Sequence, residues 1–249
     1  MAESLGAHGA CRPAGPSIAM DHLVYVVPSV EKGMDAFEAL TGVTPVVGGR
    51  HEGLGTHNAL VSLGGGAYVE LLARDPSQPQ VDSRWLGIDA AAPKLTTFCA
   101  KAAGGASLED VGAAAREGAG YDIGPVVDMS RYNPEGKVVK WRLSAQNHSS
   151  GYQKLPGGGL VPFFVDWSPN ELPHPSESSP GGCTLVGLRA AHPDPESVER
   201  VLSAMGAEAL FQAEGDAGGN AGSGRFIAKG DSPSLQALLQ TPKGLVTLA

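Results

Sequence analysis

Apolar and polar positions change period several times along this chain, and the changes recur. DHLVYVV, 21–27, is apolar and rich in β-branched residues, and Pro28 stops it, which predicts a strand. Ser29 then reads as a helix N-cap for VEKGMDAFEAL, where Val30, Met34, Phe37 and Leu40 recur at helical spacing and Gly42 ends the run. TPVVGGR is a short strand. HNALVSL, 57–63, and AYVELLA, 67–73, are two more, joined by the tight turn Gly64-Gly65-Gly66. The order is β-α-β-β-β.

A second unit follows. LTTFCAKA, 95–102, reads as a strand and SLEDVGAAAREGA, 107–119, as a helix with Ser107 as N-cap and Asp110 at the capping-box position. DIGPVVDMS, KVVKWRLSA and LVPFFVDW are its three further strands. The order returns more faintly in TLVGLRAA (184–191), the Pro-led helix PESVERVLSAMG (195–206), GRFIAKG and GLVTLA. Between units two and three, PNELPHPSESSPGG reads as a linker, and His174 in it is either a loop lid residue or, the favoured reading, exposed. The expected organisation is a flexible leader over 1–19, a two-unit domain over 20–168, the linker over 169–182 and a degenerate third unit over 183–249.

Composition narrows the function classes. The 249 residues include 35 Gly and 19 Pro, which predicts many turns, without a collagen period. The formal net charge of −8 lacks the footprint of a nucleic-acid binder and argues against docking on an anionic membrane. No apolar window approaches the length of a membrane-spanning helix, and the N-terminus has no apolar signal core. Cys11, Cys99 and Cys183 are odd in number and widely spaced, with no CxxC, which speaks against a disulfide scaffold and a zinc finger. A reducing compartment, the cytoplasm, is the simplest setting.

Three residues stand out chemically. His22 is the second residue of the first strand, His57 opens another, and Glu70 interrupts the apolar YVELLA. Alternation puts Tyr68, Glu70 and Leu72 on one face, so a sheet with helices on one side places Glu70 in a cavity on the other. Imidazole and carboxylate groups together suit zinc, iron, manganese or nickel. Taken singly, His22 also reads as a hydrogen-bonded structural histidine and Glu70 as a solvent-facing carboxylate, and no HExxH-type signature is present. The Gly64-Gly65-Gly66 run lacks a following helix and the P-loop lysine, so it is a turn, not a phosphate cradle.

DHLVYVVPSVEKGMDAFEALTG, GGRHEGLGTHNALVSLGGGAYVELLA, MSRYNPEGKVVKWRL and PFFVDW with the later HPS resemble the glyoxalase-like branch of the vicinal oxygen chelate superfamily, over about residues 20–176. The resemblance implies an α+β fold in which paired βαβββ modules form a cupped mixed sheet around a divalent metal, beside a degenerate third module. It implies ligands on the first and last strands of a module: His22 and Glu70 in unit one and Asp166 in unit two, where the first-strand position falls near Thr96 or Thr97. The corresponding position of unit three falls near Gly187.

On the same basis Glu70 and His57 are the candidate catalytic residues. Arg50, His51 and Arg131 are candidates for holding an anionic group of the substrate, since Arg suits carboxylate or phosphate. Asn58 joins them in the cup, and Trp141, Phe163, Phe164 and Trp167 line or support its second half. The function implied is a metal-dependent isomerase, lyase or dioxygenase-type enzyme acting on a small vicinal-oxygen substrate such as a 2-oxo or hydroxy acid. The alternative is a metal-free binding protein of the bleomycin-resistance type. The expected partner is a small molecule, not nucleic acid or membrane. A homodimer fits the resemblance but is not required, because one chain already holds two modules.

Overall fold

The computed structural model describes residues 16–81, 88, 91–144, 155–212 and 225–249. Most of the expected leader, with Cys11, lies outside the described residues. The first strand, β1 (Ser17–Val26), begins within the stretch assigned to that leader. The first unit continues with α1 (Val30–Thr41), β2 (Val46–His51), β3 (Thr56–Gly64) and β4 (Ala67–Arg74). The second comprises β5 (Lys94–Ala103), α2 (Leu108–Ala119), β6 (Val126–Tyr132), β7 (Val138–Ser144) and β8 (Phe163–Asp166).

Local chemistry sets the helix ends. Ser29 accepts from the Lys32 amide, and Gly42 closes α1 in the left-handed conformation at φ 80°. Ser107 and Asp110 form the reciprocal capping box of α2.

The strands of the two units close into a barrel in the order β1-β4-β3-β2-β6-β7-β8-β5. Within each unit the first strand runs parallel beside the last, β1 with β4 and β5 with β8. The units join antiparallel along β1 and β5, and again between β2 and β6, where Arg50 faces Tyr132. The ring of strands is therefore closed, although the β2–β6 seam rests on one residue pair among the described residues. Opposite His22 in β5 lies Cys99, not Thr96 or Thr97, which sit nearer Val24.

Side chains alternate between two environments. Leu23, Val69, Leu71, Phe98 and Phe164 face outward and meet Phe37 of α1 and Val111 of α2 in the main core. Val24, Val26, Leu72 and Ile88 fill one part of the barrel interior, and Cys99, Val139, Trp141 and Val165 another. The interior between these clusters is polar, and that is where the candidate site lies.

Residues 169–182 are not a free linker. They contain the short helix α3 (Pro175–Ser178), and the Pro180 carbonyl accepts from the Ser62 amide of β3 at 2.9 Å. The third unit consists of β9 (Thr184–His192), α4 (Pro195–Ala204), β10 (Ala228–Lys229), β11 (Ser234–Thr241) and β12 (Gly244–Leu248). Its element order repeats that of the first two, but its strand order is β10-β9-β11-β12, with the first strand inside the sheet. It shares the main core through Leu188, Leu202 and Leu239, and its last residue accepts from the Leu95 amide at 2.9 Å.

The seam between β2 and β6 rests on bare backbone at Gly49, where an added Cβ would fall 2.3 Å from the Tyr132 carbonyl oxygen. Gly49→Ala is expected to destabilise the fold by about 1–3 kcal/mol, read from urea unfolding.

Candidate functional site

Inward positions of the barrel line a cavity of about 70 Å³ that opens to solvent. One wall is polar: His22 of β1, His51 of β2, Thr56 and Asn58 of β3, Glu70 of β4 and Arg131 of β6. The facing wall is apolar, with Met129, Trp141, Phe163, Val165 and Trp167.

Glu70 is the centre of the polar wall. Buried at 8% exposure, it accepts a hydrogen bond from Asn58 Nδ2 at 2.6 Å. The Asn58 Oδ1 is left buried without a hydrogen-bond partner, so the amide is oriented by the carboxylate's need for a donor. His22 Nε2 lies 3.7 Å from one Glu70 oxygen and His51 Nε2 3.9 Å from the other. Each imidazole is held by its opposite nitrogen: His22 Nδ1 by Asp21 at 2.8 Å and His51 Nδ1 by the Thr56 hydroxyl at 2.8 Å. Burial pushes the His51 pKa down to about 4 against the pull of Glu70, so the ring is neutral at neutral pH.

The donor types on this wall, two imidazoles and a carboxylate, suit a divalent metal. Each imidazole approaches a different oxygen of Glu70, and the far nitrogen of each ring is tied by a polar partner. The gaps of 3.7 and 3.9 Å exceed a hydrogen bond and fall within about 4.2 Å, the sum of two ordinary metal–ligand distances. A second grouping, Asp21, His22 and Cys99, has its ligand atoms within 4.8 Å of one another. Burial, with Asp21 and Glu70 nearby, pushes the Cys99 thiol well up, so an ion bound there would have to displace its proton, and Asp21 and His22 are bonded to each other. His22 is common to both groupings, and of the two it is the set with His51 and Glu70 that lines the cavity. His51, read in the sequence as a substrate contact, lines the cavity with its Nε2 3.9 Å from Glu70.

Asp21 was not singled out in the sequence, yet it organises this wall. A bulge in β1 between Met20 and His22 lets consecutive residues meet instead of pointing to opposite faces. Asp21 is fully buried and also accepts from Trp167 Nε1 at 3.0 Å, with Lys101 Nζ at 3.5 Å. Its fourth partner is His174 Nε2 at 3.2 Å. Burial alone pushes its carboxyl up; the hydrogen bonds from His174 and His22 and the nearby charges outweigh this and hold it well below the usual range. The expectation of an exposed His174 is thus corrected. Its ring lies against Trp167 at 5.2 Å and Tyr68 at 5.8 Å, because the strap lies on the barrel.

Three other expected site residues lie outside the cavity. Asp166 ends β8 between solvent and Arg142, whose guanidinium it binds, while Phe163 and Val165 take the inward positions. The resemblance puts Asp166 at the last-strand position that Glu70 holds in unit one, but the inward residue here is Val165, and a one-residue slip in a strand exchanges the two faces. His57 sits between the inward Thr56 and Asn58 and faces out, near Asp75, Glu31 and Arg50. Arg50 binds Asp75 at 2.9 Å on the outside of β2. His22, His51, Asn58, Glu70, Arg131, Trp141, Phe163 and Trp167 are the sequence candidates that the fold brings together, while Phe164 packs outside in the main core.

A two-unit barrel enclosing a polar wall defines an α+β protein with an internal cavity open to solvent. The sequence profile of the glyoxalase-like domain family matches residues 20–206, and the chain belongs to that family. Among solved structures, a hypothetical protein from Staphylococcus aureus is 14% identical over 87% of this chain and 88% of its own, with a TM-score of 0.55, a likeness of fold. Methylmalonyl-CoA epimerase from Mycobacterium tuberculosis is 15% identical over 59% of this chain and 85% of its own, with a TM-score of 0.35. The Streptomyces coelicolor methylmalonyl-CoA epimerase is 16% identical over 62% and 98%, with a TM-score of 0.36. No curated protein sequence matches the chain. Among the described residues, no helix is long and apolar enough to cross a membrane.

Asp21→Asn is expected to weaken divalent-metal binding about 10–100-fold in chelator-competition titrations, while Asp166→Asn leaves it unchanged. The metal-free protein also has a defined pH response. The His51 value is lower folded than unfolded, so the unfolded chain binds the proton first as pH falls. Through this group, stability is expected to fall by at most about 3 kcal/mol from pH 6.5 to pH 4. His51→Gln removes that share of the loss in urea titrations.

Proposed function

We propose that this protein is a metal-dependent glyoxalase-like enzyme, of isomerase, lyase or dioxygenase type, acting on a small substrate with two neighbouring oxygens. In this reading His22, His51 and Glu70 hold the metal. The observation that supports it is the convergence of two Nε2 atoms on one buried carboxylate, each ring anchored through Nδ1. When bound, a divalent ion supplies Lewis-acid polarisation of the substrate oxygens. Asp21 and Thr56 fix the two rings, Asn58 holds Glu70 in place, and Trp141, Trp167 and Met129 keep water from the reacting end of the cavity. Among the described residues lining the cavity, Glu70 is the one carboxylate, and it is the group within reach of a substrate proton.

One observation favours the metal-free binding reading: Asn58 already satisfies part of Glu70, and β5 and β8 offer Cys99, Phe163 and Val165 where the first unit has His22 and Glu70. Elemental analysis of the purified protein separates the two. Near-stoichiometric manganese, iron, nickel or zinc is expected, falling at least tenfold in each of His22→Ala, His51→Ala and Glu70→Ala, with His57→Ala unaffected. Absence of metal after reconstitution with each ion would leave the sequestering protein as the reading.

A further inference from the structure

The polar wall contains one more charged group, and nothing in the metal set uses it. Arg131 is 7% exposed on the inner face of β6. Its guanidinium donates to the Gly48 carbonyl. Of its five N–H donors, this is the one bond it makes among the described residues, and no described carboxylate lies within the 4 Å of an ion pair. Glu70 faces it across the wall, but both Glu70 oxygens are turned to Asn58, His22 and His51. A buried cation without an anion is costly to the fold. The Nη1 end packs against bare β2 backbone, where an added Cβ at Gly49 would fall 2.7 Å from it.

We propose that Arg131 is the anchor for one substrate carboxylate, and that the cavity selects small monocarboxylates with an apolar tail. This deepens the proposed function: it rests on reading the cavity as the substrate site, and it does not depend on the metal. The planar guanidinium fork matches a carboxylate through two parallel hydrogen bonds. Arg50, the other arginine considered, is spent on Asp75 outside the barrel. Selection for a single charge follows from the walls. A second carboxylate would meet Glu70 on one side or Trp141, Trp167 and Met129 on the other. About 70 Å³ holds about five to seven bodies the size of water, room for a short apolar tail beside the carboxylate.

The test uses metal-stripped full-length protein and the intrinsic fluorescence of the tryptophans lining the cavity. The probes are straight-chain 2-hydroxy monocarboxylates of two to six carbons, their uncharged amides, and malate as the dicarboxylate. At least one acid is expected to bind about tenfold or more tightly than its amide, with malate weaker than that acid. Arg131→Gln is expected to abolish the acid–amide difference, and Arg131→Lys to keep part of it through charge alone. The melting temperature of Arg131→Gln is expected to stay level or rise, because an unpaired buried charge has been removed. Amides binding as well as acids throughout, or an acid preference that survives Arg131→Gln, would overturn the proposal. An Arg131→Gln variant that no longer folds, with Arg131→Lys showing no loss of acid preference, would also overturn it. Metal retained without acid preference sinks the anchor alone; acid preference in a protein that takes up no metal sinks only the metal reading.

Discussion

A carboxylate inside a closed barrel has to be met by donors, and the rest of this site follows from that requirement. Leaving Glu70 ionised and unpaired would cost several kcal/mol. The barrel answers with Asn58, directed at one oxygen even though its own Oδ1 is left without a partner, and with two imidazole nitrogens further off. The second distance is what carries chemical meaning. Had either histidine closed to a hydrogen bond, the carboxylate would be a satisfied structural group. Both stop short, at 3.7 and 3.9 Å, with their rings tied from behind.

The ties extend well beyond the cavity. Asp21 joins His22 of the first unit to Trp167, at the end of the second, and to His174, on the strap leading to the third. The third unit has lost the strand order of the other two, yet its tether places an imidazole among the aromatic rings of the site. A buried carboxylate shared in this way makes the orientation of one histidine depend on three parts of the chain. That gives the strap a physical reason to lie against the barrel.

The opposite walls divide the work. Polar groups come from β1 to β4 and from Arg131, while the second unit contributes mainly Trp141, Phe163, Val165 and Trp167. Duplicated wiring thus carries unequal chemistry: one unit presents ligand types, and the other presents surface that excludes water.

Much of this was legible in the chain. Period changes marked nearly every strand and helix, capping residues marked the helix ends, and the alternation in AYVELLA put Glu70 on the face of Tyr68 and Leu72. These are local properties, written in the spacing of neighbouring residues. What depended on register was not legible. Asp166 and His57 are one step out of phase with the cavity, and a strand's period of two makes one step a change of side. The bulge at Asp21 reverses that parity for a residue the alternation would have sent outward. The encounter of His51 with Glu70, of His174 with Asp21, and of Arg131 with Gly48 joins residues far apart in sequence. The sequence by itself determined the elements and the types of group available. Barrel closure decided which of those groups face one another, because contacts across a barrel are set by strand pairing and not by distance along the chain.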